Sequence, residues 1–261
     1  MIRVGVLGAA GRMGRLVCAA VQADPDLEVV AAVNPGHAGE EIEHIHVSER
    51  IDDLEASGVD VAVDFTRPDV VMDNIRWAIE HGIHMVVGTT GIGASELEEI
   101  ARLLEKESAG PNVVVAPNFA LGAVLMQRFA EQAARFLPAA EIVELHHEGK
   151  VDAPSGTALS TARRMAAARE DAWAGPSKET LSGVRGGDAE GIRVHSVRLP
   201  GLVAHQEVIF VGEGETLTIR HDSVNRTSFM PGVVLAIKAV RERPGLTVGL
   251  EPLLGFDREG A

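Results

Sequence analysis

The segment 144–157 concentrates residues that suit acid–base chemistry. It holds two adjacent histidines, His146 and His147, and a lysine, Lys150, in a chain of formal net charge −14. Histidine is the side chain that most readily gives up a proton near neutral pH. A basic cluster in so acidic a chain predicts a small substrate that bears carboxylates, held beside an acid that delivers a proton.

The same segment ends in a predicted anion-binding helix start. Ser155 is a suitable N-cap for a helix over 157–169, and Pro154 precedes it. Gly156 and Thr157 would present backbone N–H groups at that helix start, and the hydroxyls of Ser155 and Thr157 add donors. The pattern predicts a carboxylate pocket. The alternative is that Ser155 only caps a helix and that the histidines pack or face solvent.

The alternation over 141–147 predicts a strand that delivers the two histidines at its end. If both lie in the strand, His146 and His147 face opposite sides of the sheet. If the strand ends between them, both can reach a ligand.

A glycine-rich turn near the N-terminus predicts a dinucleotide site. A β-branched run over 3–7 enters Gly8-Ala9-Ala10-Gly11-Arg12-Met13-Gly14, and a helical pattern follows. Strand, glycine turn and helix are the setting that this motif requires. Gly8 and Gly11 permit a tight turn close to a pyrophosphate, and Gly14 permits close packing of the helix. The spacing is GxxGxxG, and the alternative is a packing turn without a ligand.

The second predicted strand, 27–33, ends at Asn34, where an acid usually binds the adenosine ribose. Asn34 can bond a hydroxyl without repelling a 2′-phosphate. Pro35 follows where an NADP-selective protein often has arginine, and Arg12 is the nearest basic candidate for a phosphate. The choice between NADH and NADPH stays open, and our hypothesis is that both work, with NADH no worse.

Further strands and helices alternate along the first half. Strands are predicted over 59–65, 84–87 and 112–116, and helices over 70–80 and 95–107, the latter with Ser95 as N-cap and Glu98 three residues on. Nearly continuous apolar strands separated by helices indicate a parallel sheet covered on both faces. Ligands of such sheets lie at the carboxyl ends of the strands. Gly88-Thr89-Thr90 and Ala116-Pro117-Asn118-Phe119 would lie there, near the nicotinamide.

The pattern changes after Phe119. The sequence predicts a helix over 121–136, a mobile loop over 171–190, strands over 192–198, 203–211 and 216–221, a helix over 231–243 and an apolar tail over 246–254. Gly212-Glu213-Gly214-Glu215 is a hairpin signal. The predicted fold is α/β, with an N-terminal Rossmann-like doubly wound parallel sheet and a second α+β domain with a mixed or antiparallel sheet. Residues 1–118 would bind the dinucleotide, 119–230 would bind substrate and oligomerise, and 231–261 would return to the first domain.

Composition excludes several function classes. The chain has 38 acidic and 24 basic residues, which argues against nucleic-acid or anionic-membrane partners. No apolar run approaches the roughly 18–20 residues that span a bilayer. The N-terminus begins a strand at once, without a signal-peptide pattern, so a cytoplasmic location is expected. Cys18 is expected to be a small buried hydrophobe. His44 and His46 could hold a metal on one strand face, but no third ligand is suggested, and a solvated pair is the preferred interpretation.

These motifs together resemble the 4-hydroxy-tetrahydrodipicolinate reductase (dihydrodipicolinate reductase) family of diaminopimelate and lysine synthesis, over nearly the whole chain. The most specific part is His146-His147-x-x-Lys150-Val151-Asp152-Ala153-Pro154-Ser155-Gly156-Thr157. Other matching segments, in the family's order, are 8–14, Asp64-Phe65-Thr66, Gly88-Thr89-Thr90-Gly91, 116–119, 192–198 and Thr218-Ile219-Arg220-His221.

The resemblance implies reduction of a cyclic imine dicarboxylate by NADH or NADPH with loss of the 4-hydroxyl as water. Hydride would arrive at ring C4, and the resulting enamine would be protonated at the neighbouring carbon. By motif match, His146 is the general acid and Lys150 places or polarises the substrate. Carboxylates would be bound by His147, Ser155, Gly156 and Thr157. The cofactor would contact Gly8, Ala9, Ala10, Gly11, Arg12, Met13, Asn34, Gly88, Thr89, Thr90, Ala116, Pro117, Asn118 and Phe119. No metal is implied, and the family is usually a homotetramer formed through the second domain's sheet.

Two positions depart from the family pattern. Gly149 stands where many relatives carry a polar or basic side chain, so one substrate contact is expected to be absent. Asn34-Pro35 lacks the acidic-then-basic pattern that is common after the second strand. Two alternatives stay open: another nucleotide-linked enzyme, such as an amino-acid or semialdehyde dehydrogenase, and a non-catalytic NAD-sensing protein. A substrate panel separates the first, and tolerance of changes at His146 and Lys150 would reveal the second.

Overall fold

The computed structural model describes residues 1–106, 110–169 and 178–256. The chain divides into two compact units, Met1–Phe119 with Phe229–Ala261 and Ala120–Ser228. The strands are β1 (Ile2–Leu7), β2 (Leu27–Val33), β3 (Glu41–Ile42), β4 (Ile45–Ser48), β5 (Val61–Asp64), β6 (His84–Val87), β7 (Val113–Val115), β8 (Ala139–His146), β9 (Gly187–Ala189), β10 (Ile192–Arg198), β11 (Ala204–Gly212), β12 (Glu215–Ser223) and β13 (Leu246–Val248). The helices are α1 (Arg12–Ala23), α2 (Asp53–Ala56), α3 (Val71–Glu80), α4 (Ala94–Glu105), α5 (Leu121–Ala133), α6 (Gly156–Ala167) and α7 (Met230–Ala239). Single 3₁₀ turns occupy Arg226–Phe229, Val240–Glu242 and Glu251–Leu254.

The first unit is built on a sheet of order β13-β7-β6-β5-β1-β2-β4-β3, parallel except for the β3–β4 pair. Every residue of β5 and β7 is buried, which explains why these strands have uninterrupted apolar runs. Helix α1 buries Gly14, Val17, Cys18 and Val21, the spacing of one helical face. Each of β1, β2, β5, β6 and β7 directs its carboxyl end to the same edge of the sheet.

The second unit contains a mixed sheet of order β12-β11-β8-β10-β9. Strands β8 and β10 are parallel, and the other neighbours are antiparallel. Burial alternates along β8, and Ile142, Val208 and Phe210 on the buried face pack with Ala158 and Met165 of α6. The predicted fold class, a doubly wound parallel sheet followed by an α+β unit, is therefore confirmed.

Several local predictions were wrong. Helix α4 begins after Gly93, whose N–H donates to Glu96 at 3.0 Å, so Ser95 is not the N-cap and Glu98 does not complete a capping box. Gly93 has no side chain to cap the helix, and its backbone N–H bonds to Glu96 instead, so a pattern of capping side chains does not reveal this helix start. The C-terminal α-helix ends at Ala239 rather than 243, because a 3₁₀ turn continues it.

The predicted loop 171–190 also needs revision. Residues 171–177 lie outside the described residues, but Gly187–Ala189 form β9, paired with β10. The short strands β3 and β4 and the single-turn helix α2 were not predicted, since two to four residues carry too little periodicity. Within the described ranges, no helix is long and apolar enough to cross a membrane.

Candidate active site

The glycine turn after β1 leaves no room for side chains at two positions. Gly8 has φ +79°, and a Cβ there would lie 2.7 Å from the carbonyl oxygen of Phe65. A Cβ on Gly14 would lie 2.1 Å from the carbonyl oxygen of Gly8. Both contacts are with backbone, which cannot rotate away. The turn therefore brings the start of α1 close against the strand end, the geometry that a pyrophosphate requires.

The start of α1 carries no capping side chain. Gly11 is the N-cap, so the first-turn N–H groups face outward without a side-chain acceptor from that residue. An anion is the natural partner for such a helix start. Arg12, predicted to meet a phosphate, is exposed beside it. These residues fit a dinucleotide phosphate.

Asn34, predicted to bind the adenosine ribose, also has a contact within the protein. Its side-chain oxygen accepts the N–H of Ala10 at 3.2 Å, so the amide braces the glycine turn. Arg15, which sequence reasoning did not consider, donates to the Ala10 carbonyl at 3.1 Å and pairs with Glu40 at 2.6 Å. Arg15 thus contacts the same residue, Ala10, that Asn34 contacts, and its charge is already paired with a carboxylate.

The other predicted cofactor residues follow β6 and β7. A Cβ on Gly88 would lie 2.2 Å from the ring of Phe65, and that ring packs on Phe119 with centroids 5.7 Å apart. The side chains of Thr89, Ala116 and Phe119 are buried, so these residues can meet a cofactor mainly through their backbone. Ala9 is buried likewise, whereas Thr90 and Pro117 are exposed, and Ala10, Met13 and Asn118 are half-buried.

A buried carboxylate organises these turns. Asp64 is fully buried and accepts the N–H and hydroxyl of Thr66 at 2.9 and 2.7 Å. It also accepts the amide of Asn74 at 2.7 Å and the hydroxyl of Thr89 at 2.6 Å. The sequence prediction assigned Asp64 no role. Its signal was a charged residue at the end of an otherwise apolar strand.

In the second unit, His146 and Arg198 are register partners at the carboxyl ends of β8 and β10. Glu144 lies two residues before His146 and therefore on the same face. The Nδ1 atom of His146 lies 2.5 Å from Oε2 of Glu144. Strand β8 ends at His146 and His147 begins a turn, so the second of the two alternatives applies, in which the strand ends between the histidines.

Arg198 forms a bidentate contact with the same carboxylate. Its Nη1 and Nη2 atoms donate to the two oxygens of Glu144, each at 2.9 Å. Nη2 also donates to the carbonyl of Asp152 at 2.6 Å, and Nε donates to the carbonyl of Lys150 at 3.3 Å. Sequence reasoning assigned neither Glu144 nor Arg198 a role.

Glu144 is fully buried yet ionised. Burial alone would raise the pKa of this carboxyl group, but hydrogen bonds from His146, Arg198 and Ser196 outweigh burial and lower the pKa from 4.5 to about 2. The N–H of Ser155 approaches the same group at 3.3 Å. A permanent negative charge therefore sits behind His146.

Lys150 stands in the turn that follows β8. The turn closes through the N–H of Lys150, which donates to the carbonyl of His147 at 3.1 Å. The ammonium group of Lys150 lies 2.7 Å from Asp152, and the hydrogen bond from Lys150 holds the pKa of Asp152 below its usual range. Lys150 thus carries a cation in the turn that follows His146, and the exposed carboxylate of Asp152 is its partner. Gly149, in the same turn, leaves this approach without a side chain.

The start of α6 has the predicted form with one reassignment. Ser155 is the N-cap, and its hydroxyl accepts the N–H of Ala158 at 3.2 Å. Ser155 itself is buried, and its own N–H faces Glu144, so its part is chiefly to shape the helix start. Gly156 is exposed, with open space where a side chain would be. Thr157 is half-buried in the first turn. This helix start remains suited to a carboxylate.

The histidine pair in the first unit has no comparable setting. His44 lies in a turn with φ +66° and its side chain is 92% exposed, while His46 is an exposed residue of β4. Among the described residues, no group of three or more potential ligands is arranged to hold a metal.

Comparisons with known proteins cover both units. The family model "Dihydrodipicolinate reductase, N-terminus" matches residues 2–119, and "Dihydrodipicolinate reductase, C-terminus" matches residues 122–254. The chain is 54% identical to the 4-hydroxy-tetrahydrodipicolinate reductase of Nocardia farcinica, over 97% of this chain and 98% of the relative. It is 56% identical to the reductase of the same name from Cutibacterium acnes, over 98% and 100%. A dipicolinate-bound dihydrodipicolinate reductase from Paenisporosarcina sp. TG-14 superposes with a TM-score of 0.87 at 40% identity, over 97% of this chain and 99% of that one.

The ionised Glu144 predicts a specific pH dependence of stability. Its pKa is about 2 in the folded chain against 4.5 without the fold, so its stabilisation is complete above pH 4.5 and is lost as pH falls toward 2. Glu144→Gln should lower the free energy of unfolding at pH 7 by roughly 3 kcal/mol. The difference from wild type should shrink between pH 4.5 and 2. Urea unfolding at pH 7, 5, 4 and 3 measures this.

Glu148→Gln, at an exposed position of the following turn, is the control and should follow wild type at every pH. A Glu144→Gln difference that stays constant from pH 7 to pH 3 would contradict the assignment.

Proposed function

The chain belongs to the dihydrodipicolinate reductase family, as its motifs predicted, and we propose that it reduces 4-hydroxy-tetrahydrodipicolinate to tetrahydrodipicolinate in lysine and diaminopimelate biosynthesis. One substrate, one NAD(P)H and one proton give one product, one NAD(P)⁺ and one water. The observation that carries the proposal is the group of His146, Lys150 and the start of α6, which joins an acid, a cation and an anion-binding helix end in a member of this family. The dipicolinate bound to the Paenisporosarcina relative, itself a cyclic dicarboxylate, supports a ligand of this class.

We assign the proton to His146. With Nδ1 held against Glu144, the Nε2 atom is left to face a ligand and to hand over a proton. Lys150 supplies a positive charge. Its ammonium group, paired with Asp152 here, would pair with a carboxylate of the substrate instead. Gly156 and Thr157 offer backbone N–H groups to a carboxylate, with Ser155 fixing the helix start and His147 bordering the turn.

We assign the cofactor to the first unit. Gly8, Gly11 and Gly14 shape the phosphate turn, Arg12 borders it, and Asn34 braces it. The turns after β6 and β7, braced by Asp64, would face the nicotinamide. When bound, the cofactor supplies the hydride. Because the reaction consumes a diffusible cofactor, we also propose a cytoplasmic location, which cell fractionation would check.

The proposed reaction is tested by coupling the purified protein to freshly made substrate. Aspartate semialdehyde, pyruvate and the upstream synthase generate the substrate, and loss of reduced-nicotinamide absorbance reports turnover. Oxidation should depend on the synthase with either cofactor. NADH should be used at least as well as NADPH, because no cation follows Asn34 and Arg15 is already paired with Glu40.

Absence of oxidation with both cofactors, in folded protein that binds NADH, would overturn the proposed reaction. A strong NADPH preference would overturn only the cofactor hypothesis.

Replacing either functional side chain should remove most of the activity. His146→Gln and Lys150→Ala should each lower kcat/KM by roughly 10²-fold or more, the scale of a lost general acid. His44→Gln, at an exposed histidine of the first unit, should leave turnover unchanged. NADH binding, followed by fluorescence, should stay at the wild-type value in all three variants. Wild-type turnover in both His146→Gln and Lys150→Ala would refute the assigned roles and favour a non-catalytic NAD-binding protein.

We further propose that four chains assemble through the second unit's sheet, on the face turned away from α6. Val143, Leu145 and Ile209 are partly exposed on that face and Val211 is 46% exposed, which supports an apolar contact. Light scattering should give about four times the chain mass of 27.6 kDa, and Ile209→Arg should give smaller species. A wild-type mass of one chain would contradict the proposal.

A further inference from the structure

Glu144 and Arg198 lie next to His146 and form one hydrogen-bonded group with it. Glu144 offers two carboxylate oxygens, and His146 takes one of them while Arg198 contacts both. The charges arranged around His146 are Glu144 on its own strand, Arg198 on β10, and Lys150 and Asp152 in the following turn. The first turn of α6 carries no acidic residue, and His205 faces the other side of the sheet because Ala204 is the partner of His146.

Arg198 is shared between this carboxylate and the turn that carries Lys150. Nη2 reaches both Glu144 and the carbonyl of Asp152, and Nε reaches the carbonyl of Lys150. Both carbonyls belong to the segment 150–152, which begins with the residue whose side chain would meet the substrate. Three nitrogens of one planar group thus touch the acid's partner and the substrate turn together, which a lysine ammonium could not reproduce.

We propose that Arg198 is a positioning residue that aligns the His146 acid and the Lys150 turn at once. It acts on the acid through Glu144, which accepts a hydrogen bond from Nδ1–H of His146 and so leaves Nε2 as the atom that delivers the proton. It acts on substrate binding through the two backbone carbonyls. The inference rests on the proposed function, because it assigns partners to that acid and that cation.

Three variants separate the two actions. Glu144→Gln removes a negative charge from His146 and should move the alkaline limb of the kcat/KM profile to lower pH, by roughly one unit. Arg198→Gln removes the opposing positive charge and should move that limb to higher pH. Arg198→Lys should return the limb to its wild-type position, yet keep a raised KM, because one ammonium cannot hold Glu144 and both carbonyls.

The remaining kinetic pattern follows from the same contacts. Glu144→Gln should lower kcat by 10-fold or more with a smaller change in KM, since the carbonyl contacts of Arg198 survive. Arg128→Lys is the matched control, because Arg128 pairs with Glu131 within α5 at 3.0 Å and should leave both the profile and KM at wild-type values. NADH binding should be unchanged in every variant.

A loss of activity without opposite shifts of the alkaline limb would overturn the inference and reduce Arg198 to a stabilising residue. Where a variant fails to fold, the ¹⁵N NMR spectrum of the wild-type protein decides, and the signals of His146 are assigned by their loss in His146→Gln. The proposal requires that neutral His146 carries its proton on Nδ1. A proton on Nε2 would overturn it. Wild-type protein without synthase-dependent turnover would instead refute the proposed function.

Discussion

The second unit depends on one constraint, the burial of the Glu144 charge. A carboxylate without solvent exposure is costly unless donors surround it, and here His146, Arg198 and the Ser155 N–H do so. Each donor belongs to a different element: β8, β10 and the start of α6. Satisfying one charge therefore fixes where the His146 imidazole, the Arg198 guanidinium and the start of α6 lie. The packed apolar face of Ile142, Ala158 and Met165 lies under the same strand and supports this arrangement.

The first unit repeats the principle at Asp64. Its four donors come from the turns after β5 and β6 and from α3, and all converge at the carboxyl end of β5. A neutral apolar residue at this strand end would pack equally well, but it would leave Thr66, Thr89 and Asn74 without a common acceptor. In both units a buried carboxylate holds polar loops in place, while the ligand-facing groups remain available.

Local patterns carried much of the prediction. The glycine turn, the apolar strands and the spacing of His146, Lys150 and Ser155 are short-range signals, and the sequence alone placed β2, β6 and β10 at their observed bounds. Contacts between distant residues were not predictable. Glu144 and Arg198 are separated by 54 positions and meet only because β8 and β10 pair in parallel. The prediction of Ser95 as an N-cap failed for a different reason: serine is a suitable residue type, but Gly93 occupies the N-cap position.

The two anion-binding helix starts show why a residue type alone does not define its role. Helix α1 follows Gly11, which offers no capping side chain, and α6 follows Ser155, whose hydroxyl caps the helix. At α1, a Cβ on Gly14 would lie 2.1 Å from the carbonyl oxygen of Gly8, so the first turn of the helix packs closely against the preceding turn. At α6 the serine hydroxyl satisfies Ala158, and its N–H is committed to Glu144. The start of α1 is thus shaped by close approach of backbone to backbone. The start of α6 is held against the Glu144 carboxylate, which fixes its position relative to His146.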